Sequence, residues 1–390
     1  MTLTPPVLED DAIDERDRRA PSPLQDERSD NSIVVWLLRL VSALAIPAVV
    51  MAVFFTFGFL KDEDANKALQ VVVALLIGTV GIWVLFWGAD RLVDLLPTKA
   101  AAGVRPFVFV GPALVLLAFY LVYPAVNTLI LSFQNSDSTS FVGFDNYERI
   151  LTERQYLIGL RNSLVWVLIV PAAAVVIGLA FATMADKLSK RAESIAKSII
   201  FLPMAISFVG AVVVWTFVYS FRAEGFGNQI GLLNAIWTGI FGGDAVQWLT
   251  LEPWNNLFLM IILIWLQTGF SMVILSSAIK GVPDDLLEAA RIDGADEFQV
   301  FWRIILPSIA STIVVVWTTV LITVWKVFDI VWVTTNGRDD TQVIAQQMVQ
   351  EFFTNRNNGI GAALAVLLFV AVVPILVINV KRFRAQEAMR

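Results

Sequence analysis

Residues 280–307 read KGVPDDLLEAARIDGADEFQVFWRIILP and lie between two long apolar stretches. Pro283 and the two carboxylates after it suit the first turn of a short helix, because the helix dipole favours negative charge there. Gly294 is suited to ending that helix. Asp296 can cap a second helix, and Gln299 three residues later completes a capping box. The stretch therefore predicts two short helices that connect a pair of apolar segments.

These short helices have the composition of a surface that is presented to a partner. Ala289 and Ala290 permit close approach, and a helix laid in a groove is a common mode of recognition. Phe298, Phe301 and Trp302 make the second helix apolar where it leads into the next segment. An interfacial helix that only connects two spans explains the same residues, and the pattern alone leaves both interpretations open.

Apolar stretches long enough to cross a bilayer, about 20 residues each, occur eight times. The chain is 57% apolar and only 16% charged, whereas soluble proteins have about a quarter of their residues charged. The sequence therefore predicts an all-α integral membrane protein with eight transmembrane helices. They lie at 33–60, 69–89, 107–133, 162–184, 198–221, 255–279, 305–333 and 359–380.

The basic side chains alternate between the two sides of these spans. Lys and Arg concentrate at both ends of the chain and in the loops after the second, fourth and sixth spans. Because basic residues stay on the cytoplasmic side, both termini are predicted to be cytoplasmic. The expected location is the plasma or inner membrane of a cell.

Composition divides the chain into three parts. Residues 1–31 mix charged residues with Pro and Ser, which predicts a disordered cytoplasmic tail. Residues 32–105 predict two additional helices and a linker, and residues 106–390 predict a six-helix domain that includes the 280–307 loop. Two outside loops, 134–161 and 222–254, are long enough to fold against a partner.

Several kinds of chemistry are excluded by missing residue types. The chain has no Cys and no His, which excludes disulfides, thiol nucleophiles, histidine catalysis and Cys/His metal sites. Its net charge of −6 argues against a nucleic-acid partner. It also lacks any Gly-Lys dipeptide, so it has no phosphate-binding GxxxxGK[ST] loop. We expect no metal and no cofactor, and any ATP must be hydrolysed by another chain.

The central loop also matches a longer pattern. Glu288-Ala289-Ala290, Gly294 and Ile304-Ile305-Leu306-Pro307 fill EAA-x3-G-x9-I-x-L-P at every fixed position. This resembles the signature loop of ABC importer permeases, a coupling helix that sits in a cleft of the ATPase subunit. The resemblance implies that the loop converts ATPase closure into opening of the transmembrane path. The implied coupling residues are Glu288, Ala289, Ala290, Asp293, Gly294, Leu306 and Pro307.

The similarity extends from about residue 107 to the carboxyl end. Phe141–Tyr147, Arg161–Ser163 and Phe201–Pro203 resemble segments of the maltose-type carbohydrate permeases. The two additional helices and the run Lys326–Asp329 are similar to the α-glucoside branch. The resemblance implies a non-enzymatic permease subunit that forms half of the path for an α-glucoside or related di- or oligosaccharide. It further implies an ATPase dimer, a second related permease, an extracytoplasmic sugar-binding protein and surrounding membrane lipid as partners.

Gln267 is the main candidate for contact with a sugar. It lies near the middle of the sixth span, beside Trp265 and Phe270, and amides and aromatic faces suit hydroxyls and sugar rings. The alternative is a hydrogen bond from Gln267 to a neighbouring helix. Counted from the loop, five residues match positions of the sugar site in maltose-type permeases, although the two valines are apolar where that pattern is polar. They are Gln267, Phe270, Val320, Thr323 and Val324.

The seventh span carries further candidates. Lys326 and Asp329 are three residues apart, which predicts one helical face and an internal ion pair; a gate or a partner contact is the alternative. Trp325 could stack on a sugar or anchor the span at the membrane interface. Trp325 and Lys326 complete the candidate substrate path.

Three other functions fit parts of the sequence. A permease for another solute, such as glycerol phosphate, would need a cluster of unpaired Arg or Lys in the spans, and none is evident. An ion-coupled secondary carrier would transport without an ATPase, and it leaves the loop pattern unexplained. A membrane enzyme or scaffold would need paired catalytic groups, and the spans offer only the Lys326 and Asp329 pair.

Overall fold

A computed structural model describes residues 32–62, 65–94, 97–223 and 225–387. The tail predicted at 1–31 lies outside them. The regular secondary structure of the described residues is helical, and their only β-type pairing is an isolated bridge between Gln134 and Phe141. The all-α prediction is therefore confirmed for these ranges. By its internal contacts the chain divides into two units, Met1–Val122 and Tyr123–Arg390.

The described part of the first unit contains four α-helices and two π-helical turns. α1 packs along α3, and Gln70 closes the turn between α1 and α2 by donating to the backbone oxygens of Phe59 (3.0 Å) and Asp62 (2.8 Å). Arg105 pairs with Asp90 at 3.0 Å and also with Asp94, which ties α4 to α3. The elements are α1 (Ser32–Leu60), α2 (Lys67–Leu76), a π turn (Ile77–Gly81), α3 (Ile82–Val93), α4 (Thr98–Leu117) and a π turn (Ala118–Val122).

The second unit contains the remaining helices, and α7 and α11 form its centre. In chain order they are α5 (Tyr123–Leu131), α6 (Asp145–Thr152), α7 (Arg154–Asp186), α8 (Lys190–Phe201), a 3-10 turn (Leu202–Ala205), α9 (Phe208–Val218), α10 (Leu232–Ile240), α11 (Asn255–Lys280), α12 (Asp284–Ile292), α13 (Glu297–Val300), a π turn (Phe301–Ile305), α14 (Leu306–Ser308), α15 (Ala310–Trp325), α16 (Asp329–Thr334), α17 (Ile344–Val349), a π turn (Gln350–Thr354) and α18 (Asn358–Glu387).

Two glycines allow the central helices to pack closely. A Cβ at Gly178 of α7 would lie 2.6 Å from Cβ of Ser271 on α11, and a Cβ at Gly269 of α11 would lie 2.5 Å from the backbone oxygen of Ile200 on α8. Any larger side chain at either position would force these helices apart. These two contacts hold α7 and α8 against the middle of α11, the helix that leads into the 280–307 loop.

The described helices support a multi-pass membrane protein but not a definite count of spans. Five helices are long and apolar enough to cross a bilayer, and two bent helix pairs raise the number to seven. The described part of α1 includes a shorter apolar helix, Pro47–Leu60. The eight-helix topology therefore stays a prediction.

Two predicted spans are bent instead of straight. The 198–221 span is broken between Lys190–Ala205 and Phe208–Val218, which meet at 104°. Pro203 lies in the 3-10 turn, and the Ser207 side chain accepts a hydrogen bond from the Gly210 backbone and so caps α9. The 305–333 span bends by 67° before α15 and its helix then ends at Trp325. Hydropathy detects apolar length, and it does not detect such local breaks.

Candidate functional site

The first helix of the 280–307 loop ends as the sequence predicts. Gly294 has φ +85°, a conformation in which a side chain is strained. Its N–H donates to the Arg291 oxygen at 3.1 Å, and the Ala295 N–H donates to the Ala290 oxygen at 3.0 Å. This pair of bonds is a Schellman motif with glycine at its left-handed position. Pro283 precedes the helix as its N-cap residue and does not lie within the first turn.

The second helix begins with the predicted capping box. The Gln299 N–H donates to Asp296 Oδ1 at 2.7 Å, and the Asp296 N–H donates to Gln299 Oε1 at 3.3 Å. An ion pair between Arg291 and Glu297, at 3.1 Å, links the two short helices. The loop is therefore a defined helix-turn-helix, and both ends of its turn are fixed by local hydrogen bonds.

The loop combines anchored side chains with exposed apolar ones. Val282 and Val300 are buried, and Leu287 packs on the core of the second unit. Other side chains of the loop are exposed: Ile292 is 85% exposed and Phe298 is 71% exposed. Large exposed apolar side chains in a short loop are a candidate site of interaction. We call this set the docking face: Leu286, Ile292, Phe298 and Trp302.

Most of the residues implied by the loop resemblance are accessible beside the docking face. Glu288, Ala289, Asp293 and Gly294 are exposed, and Ala290 is half-buried. Leu306 and Pro307 belong to α14, at the far end of the π turn, where Leu306 is half-buried and Pro307 is exposed. The first five residues therefore share one short helix and its end, whereas the last two belong to the base of the next span.

A cleft of about 690 Å³ separates the loop from the helices behind it. Thr183 and Asp186 at the end of α7 form one wall, and side chains of the loop form the other, among them Phe298 and Trp302 of the docking face. The loop is therefore anchored at a few points and does not pack against the helix ends along its whole length. That arrangement leaves space into which the loop can move.

Glu193 joins α8 to the start of the loop, a link that sequence reasoning missed. Its side chain, 11% exposed, pairs with Lys280 (Oε1 to Nζ, 2.5 Å) and also with Lys197. Lys197 is four residues along the same helix, and that spacing was the only visible signal. Lys280 is the last residue of α11 and directly precedes the loop.

The polar candidates within the spans have different surroundings. Gln267 is 8% exposed, and its side chain has no hydrogen-bond partner among the residues that the structure describes. The proposed bond to a neighbouring helix is therefore not formed. Phe270, one turn further on the same helix, is half-buried. Thr323 on α15 donates within its own helix, to the Thr319 oxygen at 3.1 Å.

The end of α15 differs from the prediction. Trp325 is buried, and its Nε1 donates to the Leu368 oxygen of α18 at 3.0 Å, so this side chain holds two helices together. Lys326 is exposed outside the helix, and Asp329 begins α16. Within the described ranges the two form no ion pair. The predicted pair is wrong because the helix ends between them, so a spacing of three does not place them on one face.

The chain is similar to characterised permeases over most of its length. Residues 174–385 match the family described as binding-protein-dependent transport system inner membrane component. The osmoprotective compounds uptake permease protein of Synechocystis sp. is 51% identical over 72% of this chain and 100% of its own length. The alpha-glucoside transport system permease protein of Rhizobium meliloti is 44% identical over 80% of this chain and 97% of its own.

A solved structure has the same fold at much lower identity. A chain of a bacterial ABC transporter involved in the import of the acidic polysaccharide alginate aligns with a TM-score of 0.63 at 20% identity. The alignment covers 74% of this chain and 99% of that one. The arrangement of helices is therefore that of an ABC transporter subunit.

Proposed function

Since the chain belongs to the family of binding-protein-dependent transport system inner membrane components, we propose that it imports a neutral sugar, an α-glucoside or related di- or oligosaccharide. It is a multi-pass membrane permease subunit and not itself an enzyme. The single observation that supports coupling to an ATPase is the docking face. Its exposed apolar side chains belong to the same helix-turn-helix as the EAA pattern.

In this proposal the 280–307 loop receives force from a separate ATPase subunit. The docking face exposes four large apolar side chains on a short helical loop, and a helix laid in a groove is a common mode of recognition. Closure of the ATPase would push on α12, and Lys280 and Glu193 would pass that motion to α11 and α8. The cleft behind the loop provides the space for the movement.

The proposed assembly contains several chains. An ATPase dimer binds on the cytoplasmic side, a second related permease completes the path, and an extracytoplasmic protein delivers the sugar. The family description and the solved transporters, one of them bound to its periplasmic protein, support the ATPase and the binding protein. Cytoplasmic termini follow from the distribution of basic residues.

A neutral sugar suits the polar groups of the spans. The unpaired amide of Gln267 and the ring of Phe270 offer hydrogen bonds and a stacking surface on one helix. Glycerol phosphate, the alternative substrate, calls for Arg or Lys side chains that pair with its phosphate. The relative from Rhizobium meliloti, whose name specifies alpha-glucosides, supports the same substrate class.

The test is ATPase activity of the complex reconstituted with its partners. Ile292→Glu places a charge on the docking face without disturbing the core, because Ile292 is almost fully exposed. We expect sugar-stimulated hydrolysis to fall about tenfold while the permease still inserts. Leu188→Glu is the matched control, since Leu188 is an exposed leucine in another loop on the same side. Equal stimulation in the two variants would reject the docking assignment.

A further inference from the structure

The helix α10, in the loop 222–254 that is predicted to lie outside, turns its polar side chains inward and apolar ones outward. Asn234 is fully buried and Thr238 is half-buried. Five exposed residues recur at helical spacing and so lie along one side of α10, and none of them has a polar side chain. They are Leu232, Ala235, Ile236, Gly239 and Ile240. A helix that faces water has the reverse pattern, with its apolar stripe turned toward the core.

The inner side of α10 is fixed to the end of α9. The Asn234 amide donates to the backbone oxygens of Ser220 (3.1 Å) and Val246 (2.9 Å), and its oxygen accepts from the Val246 N–H at 2.9 Å. A Cβ at Gly231 would overlap the Ser220 oxygen, so the backbone also approaches closely here. The Thr238 hydroxyl donates to the Asn234 oxygen at 2.9 Å. Both polar groups are therefore satisfied within the chain, and only the apolar side is left open.

These contacts place α10 beside the ends of two membrane helices. Tyr219, the residue after α9, donates through its hydroxyl to the Phe258 oxygen in the first turn of α11, at 2.8 Å. The Trp248 ring joins α10 to the same turn, with its centroid 6.2 Å from that of Trp237 and 5.1 Å from that of Phe258. Tryptophan is enriched at the depth where spans meet the membrane surface. The helix therefore lies at the level of the membrane interface.

The composition around α10 favours lipid over water or a transient protein partner. Residues 225–243 contain no Asp, Glu, Lys or Arg, whereas 19 residues of a soluble protein would include about five. The apolar surface continues at Phe241, directly after the helix, which is 69% exposed. A capture protein that leaves after each delivery would expose this surface to water, and transient interfaces are about as polar as the rest of a protein surface. Lipid tails require only apolar side chains.

We propose that α10 is an interfacial helix whose exposed side lies in the outer leaflet of the bilayer and holds the outer end of α9 at a fixed depth. Helices of this kind bury their apolar side about 5–10 Å into the boundary between headgroups and acyl chains. With nine residues, α10 is about 14 Å long and lies along the membrane surface without crossing it. The inference rests on the orientation of the chain in the proposed function, but it requires neither the sugar nor the ATPase.

The experiment exploits the absence of cysteine from this chain. Ile236→Cys and Ile240→Cys are each tested in the assembled transporter, reconstituted in phosphatidylcholine vesicles, with a charged methanethiosulfonate reagent. The reagent attacks the thiolate, and apolar surroundings raise the pKa of a thiol, so we expect both variants to react about tenfold more slowly than the control. Gln247→Cys is the matched control, because Gln247 is exposed in the same loop and lies beyond the charge-free stretch.

A second readout identifies what covers the helix. The same three thiols are labelled in detergent with a nitrobenzoxadiazole fluorophore before reconstitution. Phosphatidylcholine that carries a doxyl group near the headgroup should then quench the fluorophore at residues 236 and 240 strongly. The fluorophore at residue 247 should be quenched little, because the doxyl group acts only at short range.

The outcomes separate this inference from the importer function. Reaction of Ile236→Cys and Ile240→Cys at the rate of Gln247→Cys would show that the apolar side of α10 is in water, and would overturn the proposal. Slow reaction without doxyl quenching would overturn it in favour of a protein cover, the second permease or the capture protein. Doxyl quenching in vesicles that show no ATP-driven sugar uptake would support the lipid contact and reject the importer.

Discussion

Glu193 Oε1 and Lys280 Nζ lie 2.5 Å apart and join the first turn of α8 to the last residue of α11. The pair is placed where the 280–307 loop starts and where the first bent pair of helices begins. Because Glu193 is mostly buried, loss of its partner leaves a charge with less compensation. In the proposed mechanism, motion of the loop would therefore reach α8 and α11 together.

Breaking this link should weaken coupling. We expect Lys280→Met to reduce sugar-stimulated ATPase activity about tenfold, within the range found for residues that couple distant sites. Lys197→Met is the control, because Lys197 pairs with the same carboxylate from within α8 and so joins no second helix. The exchange Glu193→Lys with Lys280→Glu should restore activity. If Lys280→Met and Lys197→Met lose the same amount of sugar-stimulated ATPase activity, Glu193 acts only within α8 and does not couple two helices.

Gly294 should be needed for its backbone conformation and not for its small size. No atom lies within 4 Å of a Cβ built at this residue, but its φ is +85°. Gly294→Ala should destabilise the turn by about 1–2 kcal/mol and weaken binding of the ATPase subunit about tenfold. Gly294→Asn should bind more tightly than Gly294→Ala, since Asn tolerates the left-handed region. Binding of the two variants in the reverse order would contradict this explanation.

Gln267 should contribute to sugar binding and not to the stability of the fold. Its amide has no partner to lose among the described residues, so Gln267→Leu should leave thermal stability unchanged. We expect the KM for sugar uptake to rise about tenfold, because the site loses a hydrogen bond to a hydroxyl. Thr318→Val is the control, since the Thr318 hydroxyl bonds within its own helix. An unaltered KM in Gln267→Leu would remove this residue from the path.

The contact between α7 and α11 should be intolerant of one methyl group. A Cβ at Gly178 would lie 2.9 Å from the Met272 backbone nitrogen, which cannot move aside. Gly178→Ala should therefore destabilise the protein by about 1–3 kcal/mol, visible as a lower melting temperature in detergent. Gly111→Ala is the matched control, because no atom lies within 4 Å of that position. A Gly178→Ala protein that melts like the control would show that these helices are loosely packed.

Local rules predicted the loop well, whereas long-range pairs could not be predicted. The glycine that ends α12 and the capping box of α13 depend on neighbours within a few residues, and both are confirmed. The contact of Glu193 with Lys280 joins residues that are far apart in sequence. The hydrogen bond from the Tyr156 hydroxyl to Glu351 likewise joins residues that are far apart in sequence. Such pairs are set by packing, which a single sequence does not record.

The bends in the two broken spans were harder to predict from the sequence than the caps of the 280–307 loop. Pro203 marks the break before α9, yet a proline inside a span is common in membrane helices and does not by itself predict a sharp turn. The end of α15 has no proline or glycine at all. There the hydrophobic pattern continues through Lys326, and only the tertiary contacts of Trp325 and α16 show where the helix stops.

The sharp angle between α8 and α9 makes the first bent pair a lever. α9 has 11 residues, so it is about 16 Å long, and it leaves α8 at 104°. A rotation of α8 by about 10° around its own axis would carry the far end of α9 sideways by about 3 Å. In the proposed mechanism, a small twist near Glu193 would thus become a sideways displacement of α9 that is about as large as a water molecule.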